Sequence, residues 1–95
     1  MAVKILISRK VPKRKEAALL PLLLEMRTKA MAQNGYISGE TLRNTDNPED
    51  YMVISTWQSI EKWKIWESSK GRAELQKRID ALLGEKTTYR AYFYG

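Results

Sequence analysis

Three tryptophans, Trp57, Trp63 and Trp66, lie close together in the chain and are the side chains best suited to a binding site. An indole ring offers a large flat surface to an aromatic ligand, and its N–H supplies one hydrogen bond. Aromatic residues at helical spacing more often pack in a core, so both roles stay open for these residues.

Other candidate groups are phenols and guanidinium groups. The five tyrosines can donate a hydrogen bond to a substrate oxygen, although tyrosines on strands are commonly half-buried interface residues. Arg43, Arg72 and Arg90 can stabilise an enolate or phenolate, but surface salt bridges are the commoner role of such residues.

A basic run, RKVPKRK from Arg9 to Lys15, stands out in a chain of net charge +6. Such a run can hold an anionic substrate, a phosphate backbone or an acidic protein. Because no nucleic-acid-binding motif accompanies it, we predict a solvated loop and helix start, and we do not expect nucleic acid as a partner.

The chain contains no histidine and no cysteine. The usual ligands of zinc, copper and haem iron are therefore missing, and Ser-His or Cys-His nucleophile pairs are excluded. The glycines form no phosphate-cradling motif. We predict neither a metal site nor a bound cofactor.

Length and composition favour one small globular domain, covering residues 1–95, with 43% apolar residues. No apolar run is long enough to span a bilayer or to form a signal-peptide core, so we expect a cytoplasmic protein with no membrane contact. A chain this short leaves much of its surface unburied, and a second copy would supply the missing burial. We therefore predict a homodimer.

The first half of the chain alternates and then becomes helical. Residues 2–8 place Val3, Ile5 and Ile7 on one face of a strand. A helix is predicted over residues 13–33 and ended by Asn34-Gly35; either it kinks at Pro21, which we favour, or its regular part starts near Leu20 with Pro21 in the first turn. Its apolar stripe contains Leu19, Leu23, Met26 and Ala30, widened by Leu20, Leu24 and Met31.

The second half supplies the remaining elements. Residues 36–43 and 51–57 flank a polar turn segment and predict a hairpin. Ser59 caps a short helix, a break follows at Ser68, Ser69 and Gly71, and a last helix with Leu75, Ile79 and Leu82 ends at Gly84. The tail KTTYRAYFYG is the last strand. The fold class is α+β, in the ferredoxin-like order β-α-β-β-α-α-β with an antiparallel sheet.

Three stretches together resemble the antibiotic biosynthesis monooxygenase family. They are GYISGETLRN (35–44), YMVISTWQSIEKWKIWESS (51–69) and the opening strand with its basic, proline-containing continuation. The resemblance covers nearly the whole chain. It implies a dimeric α/β barrel, in which two sheets pack face to face and each subunit keeps a cavity between its sheet and its helices.

The resemblance also implies chemistry. Similar enzymes oxygenate aromatic substrates with O2 and without a prosthetic group, and we predict Trp66, Trp63 and Tyr36 as substrate-binding residues. A second branch degrades haem with an asparagine, a tryptophan and a histidine. Trp66 matches the tryptophan, but Ser8 and Gln76 fall at the other two positions, so haem degradation is not expected. Trp66, Ser8 and Gln76 are the candidate catalytic residues.

Three hypotheses follow. The first is a cofactor-independent monooxygenase that acts on a small aromatic or quinol-like compound. The second is a non-catalytic dimeric ligand-binding or interaction module of the same fold. The third and weakest is a basic partner for nucleic acid.

Overall fold

One antiparallel sheet in the order β2-β3-β1-β4 organises the computed structural model, which describes all residues from Met1 to Gly95. The strands are β1 (Val3–Lys10), β2 (Tyr36–Arg43), β3 (Asp50–Trp57) and β4 (Thr88–Phe93). The helices are α1 (Glu16–Met31), α2 (Ile60–Glu67) and α3 (Lys70–Leu83), with a 3-10 turn over Lys13–Lys15. The α+β class and the ferredoxin-like order are confirmed.

The two faces of the sheet differ in character. Ile5 of β1 lies opposite Ser55 of β3 and Ala91 of β4. Because cross-strand partners point to the same side of a sheet, the odd-numbered residues of β1 share one face with these partners. On that face Val3, Ile5, Ile7 and Arg9 are all buried, whereas the even-numbered residues of β1 lie on the outer face.

The core between sheet and helices consists of two clusters of buried apolar side chains. The first contains Val3, Ile5, Ile7, Trp57, Trp63 and Trp66. The second contains Val11, Leu19, Tyr51, Leu75, Ile79 and Leu83. Met26 of α1 packs against both clusters and joins them.

Serine caps set the starts of the two later helices. The hydroxyl of Ser59 accepts a hydrogen bond from the N–H of Lys62, and the hydroxyl of Ser69 accepts one from Arg72. The predicted break is confirmed at the serines but is wrong at Gly71, which lies inside the first turn of α3 because Ser69 already caps that helix. Gly84, with φ of 76°, ends α3 as predicted.

Helix α1 differs from its predicted extent and its predicted stripe. It begins at Glu16 and runs as one continuous helix through Pro21. Leu20, Leu24 and Met31 do not widen the buried stripe, since all three are exposed. At 3.6 residues per turn they lie about 100–140° around the helix from buried Leu19, outside the buried stripe. In α3 the buried residue of the last turn is Leu83, and Leu82 is only half-buried.

No helix of the chain has the length and apolar character needed to cross a membrane.

Candidate ligand cavity

A cavity of about 290 Å³ lies between α1 and the helix-facing side of the sheet, close to the lower end of volumes typical of ligand pockets. Its wall receives side chains from β1, β2, β3 and all three helices, and most of them are apolar. An arrangement of this kind suits a compact, largely apolar ligand.

All three tryptophans form part of the wall. Strand β3 ends at Trp57, and the turn capped by Ser59 brings Trp63 to it, with ring centroids 5.7 Å apart in an edge contact. Tyr36, at the start of β2, meets Trp57 edge-on at 5.5 Å. The same rings are buried among core residues, so the cavity is lined by part of the core. The structure therefore brings together Trp66, Trp63 and Tyr36, the three residues predicted to bind substrate.

Arg9 reaches the cavity from β1 and is only 5% exposed. Our interpretation of the basic run as solvated is wrong for this residue, because β1 extends to Lys10 and its alternation places Arg9 beside Ile7 on the helix-facing side. Its Nη2 donates to Oε1 of Gln76 at 3.5 Å, and its Nε is buried without any hydrogen-bond partner. In the rest of the run, Lys13 and Arg14 are exposed and Val11 is buried.

Arg72 reaches the cavity from α3 and is also 5% exposed. Its Nη2 donates to the hydroxyl of Tyr89 at 2.6 Å, and its guanidinium carbon lies 4.8 Å from the Tyr89 ring centroid and 5.2 Å from that of Trp63. A surface salt bridge, the commoner role of such arginines, does not apply to Arg72, because its side chain is buried and forms no ion pair with a carboxylate. Arg43 and Arg90, in contrast, are exposed.

The cavity is electropositive where the two arginines meet it. Burial lowers the pKa of the Arg9 guanidinium and the nearby charge of Arg72 lowers it further, while Tyr89 and the carboxylate of Asp80 raise it. Asp80 does not form an ion pair with Arg9: the ion pairs of the chain join Lys10 to Asp50, Lys29 to Glu25 and Arg43 to Glu16. Two buried cations thus share one apolar site.

Two of the predicted catalytic candidates lie away from the cavity. Ser8 is on the outer face of the sheet, where its hydroxyl contacts Sδ of Met52 at 3.8 Å. Gln76 is buried, but its amide nitrogen donates to Asp80 at 2.7 Å and to Thr87 at 2.8 Å, and it is not part of the cavity wall. Of the three candidates only Trp66 lines the cavity.

The mouth of the cavity lies between α1 and the edge strand β2. The exposed leucines Leu20 and Leu24 contribute to the wall there. Arg27 of α1 donates to the carbonyl oxygen of Gly39 at 3.1 Å and so bridges the helix to the strand. A Cβ atom at Gly39 would lie 2.7 Å from the hydroxyl of Tyr36, so the glycine leaves room for that phenol.

A comparison with known families settles the relationship of the chain. Residues 2–78 match the antibiotic biosynthesis monooxygenase family. The chain belongs to this family. No curated protein sequence matches it significantly.

Solved structures share the fold of this family member. A protein from Methanosarcina mazei Go1 superposes with a TM-score of 0.90 at 16% identity, covering 100% of this chain and 94% of that one. A mutant of SnoaB, a cofactor-independent oxygenase from Streptomyces nogalater, gives 0.85 at 15% identity, covering 98% and 92%. Rv0793 from Mycobacterium tuberculosis gives 0.86 at 16%, covering 100% and 96%. At these identities the likeness shows a common fold.

Proposed function

We propose that this family member is a cofactor-independent monooxygenase that oxidises a small aromatic or quinol-like substrate with O2. The observation that carries the proposal is the apolar cavity walled by Trp57, Trp63 and Trp66 and entered by two buried guanidinium groups. The family, and the cofactor-independent oxygenase among the structures of the same fold, support the same reaction class.

The reaction needs an electron-rich ring that can lose a proton and give electrons to O2. For a hydroxyanthracene such as anthrone, one oxygen atom enters the ring as a new carbonyl, and the other leaves as water with the two hydrogens that the carbon loses. In this proposal the apolar wall excludes solvent, and the cationic end of the cavity stabilises the substrate anion. Trp66, Trp63 and Tyr36 hold the ring in position.

Oxygen uptake tests the proposal directly. Purified protein with anthrone should consume O2 faster than buffer alone and release anthraquinone in equal amount. Trp66→Phe should slow uptake on the order of tenfold, because a smaller ring loosens the position of the substrate. Ile65→Ala, an exposed neighbour on α2, is the matched control and should leave the rate unchanged. Absence of uptake across a panel of electron-rich phenols and anthrones would count against an oxygenase.

A non-catalytic ligand-binding module is the second candidate. It is favoured by the position of Ser8 and Gln76, neither of which reaches the cavity. Such a module would bind the same aromatic compounds without consuming O2, and binding without turnover would identify it.

We further propose that the chain acts as a homodimer joined through the outer faces of two sheets. The outer face carries several apolar side chains that the helices do not cover, namely Leu6, Leu42, Met52, Ile54 and Tyr92. An antiparallel sheet with one apolar uncovered face is suited to pack against a second sheet.

A further inference from the structure

We propose that the cavity binds its ligand as an aromatic oxyanion, with the charged oxygen group held by Arg9 and Arg72 and the flat apolar body against the tryptophans. This inference rests on the proposed function in placing an anionic ligand in this cavity. It deepens that function by naming the two residues that recognise the charged oxygen and by extending the ligand class to carboxylates as well as ionised phenols.

The Arg9 guanidinium makes fewer hydrogen bonds than its buried charge requires. A guanidinium has five N–H donors, and a buried charge is costly unless it is paired or fully hydrogen-bonded. Here one donor reaches Gln76 at 3.5 Å, the outer limit of a hydrogen bond, and Nε has no partner. An oxyanion in the cavity would accept the hydrogen bonds that the chain leaves unmade.

The Arg72 guanidinium is held in one orientation by its neighbours. Its guanidinium group stacks over the rings of Trp63 and Tyr89 and donates to the Tyr89 hydroxyl. These contacts hold the planar fork in place before a ligand arrives, so little side-chain entropy is lost on binding. Because the stacked partners are neutral, the positive charge is not neutralised.

The cationic end of the cavity, formed by Arg9 and Arg72, differs in character from the rest of the wall. The remaining wall is dominated by apolar side chains, including Leu23, Met26 and Trp66. Such a wall favours a ligand with one charged end and a flat apolar body over a sugar or a nucleotide. The oxygen group is a carboxylate or an ionised phenol, and both present the same chemistry to the two guanidinium groups.

Isothermal titration calorimetry with matched probes tests the inference. In the wild-type protein 2-naphthoate should bind at least about tenfold more tightly than its neutral counterpart 2-naphthamide. Arg9→Met and Arg72→Met should each weaken naphthoate binding by about 30-fold and change naphthamide binding by less than about threefold. Arg78→Met, which removes an exposed arginine of α3 outside the cavity wall, is the matched control and should leave both affinities unchanged.

The source of the oxyanion is tested with 2-naphthol, whose absorption changes when the phenol ionises. If the site holds a phenolate, the apparent pKa of the bound naphthol falls in the wild-type protein and returns toward its solution value in Arg9→Met. If the site holds a carboxylate only, naphthol binds in its neutral form, and naphthoate still binds more tightly than naphthamide. Either result supports an oxyanion site.

Several results would overturn the inference. One is equal affinity of the wild-type protein for naphthoate and naphthamide, with the bound naphthol remaining un-ionised. This comparison uses the wild-type protein alone, so it does not depend on whether a variant folds. Another is an equal loss of both affinities in the methionine variants, which would indicate a purely structural role. A third is no binding of naphthoate up to its solubility limit. Retained anion preference without O2 uptake would refute the oxygenase and leave the oxyanion site standing.

Discussion

At the scale of single residues, Gly35 occupies a position that no other amino acid fits. Its φ is 95°, and an added Cβ atom would lie 2.5 Å from Cβ of Lys62 at the start of α2. Gly35→Ala should therefore lower the free energy of unfolding by about 1–3 kcal/mol, measured by urea unfolding. Gly71→Ala is the matched control, because nothing lies within 4 Å of its added Cβ and alanine favours the helix by about 0.5–1 kcal/mol. Equal stability of Gly35→Ala and wild type would contradict this account.

Tyr51 predicts a particular dependence of stability on pH. Burial raises the pKa of its phenol, and the carboxylate of Glu16, which accepts its hydrogen bond at 3.3 Å, adds to the shift, although the nearby charge of Arg43 opposes it. Above a pH of about 10 the unfolded chain loses this proton while the folded chain keeps it, so stability falls as the pH rises toward the folded pKa.

The comparison of Tyr51→Phe with wild type measures this effect. The variant should be less stable by about 1 kcal/mol near pH 8, where it lacks the hydrogen bond, and the difference should shrink above a pH of about 10. The exposed Tyr94→Phe is the control and should follow the wild-type curve. A difference that stays constant with pH would show that Tyr51 does not ionise as expected.

The residues of the cavity were only partly predictable from sequence. Trp63, Trp66 and Tyr36 were found because a rare residue recurs at helical spacing and because the family resemblance covers them. The burial of Arg9 was not predicted, because a charged residue usually marks the end of the alternating apolar pattern of a strand. The available signal was its spacing of two from Ile7, which places both on one face of a strand. Ser8 was assigned by counting along the chain, which cannot tell one sheet face from the other when the register is off by one.

At the scale of elements, Ser69 caps α3 three residues before Arg72, one of the two buried cations of the cavity wall. Ser69→Ala removes the hydroxyl that accepts from the N–H of Arg72 at 3.3 Å, and should lower the free energy of unfolding by about 1 kcal/mol. Ser68→Ala is the control, because the exposed Ser68 hydroxyl donates only to carbonyl oxygens of the preceding helical turn, those of Lys64 and Ile65, and its loss should change stability by less than about 0.5 kcal/mol. Urea unfolding followed by circular dichroism measures both. Equal effects of the two variants would argue against a cap at Ser69.

The order of the helices and strands could be predicted from hydrophobic periodicity and turn residues. The residues at which each helix or strand begins and ends could not. Gly71 was placed in the break because glycine is a poor helix former, and the structure shows that the serine cap decides the start of α3 instead. The width of the α1 stripe was overestimated because leucines were counted without their angular position, and Leu24 is in fact 67% exposed. Tertiary contacts of α1 with the sheet and α3 select which leucines are buried, and they are not visible in a local pattern.

At the scale of the whole molecule, the outer face of the sheet carries the proposed dimer contact. Ile54→Lys puts a charge at the centre of that face, opposite Leu6, and should convert a dimer into a monomer, because burying the charge in the interface costs more than a pair with Glu40, its neighbour on β2, returns. Ile65→Lys on exposed α2 is the matched control and should leave the mass unchanged. Light scattering during size-exclusion chromatography gives the mass. A wild-type monomer in dilute solution would refute the proposed assembly.

The distribution of indoles has a practical consequence. All three tryptophans of the chain lie on the wall of one cavity, two of them in edge contact with each other. The tryptophan fluorescence of the protein, excited at a wavelength that tyrosine does not absorb, therefore originates at the site itself and carries no background from tryptophans elsewhere. A ligand that enters changes the polarity around these emitters or accepts their energy, so occupancy can be followed in unlabelled protein and large compound collections can be screened by emission alone.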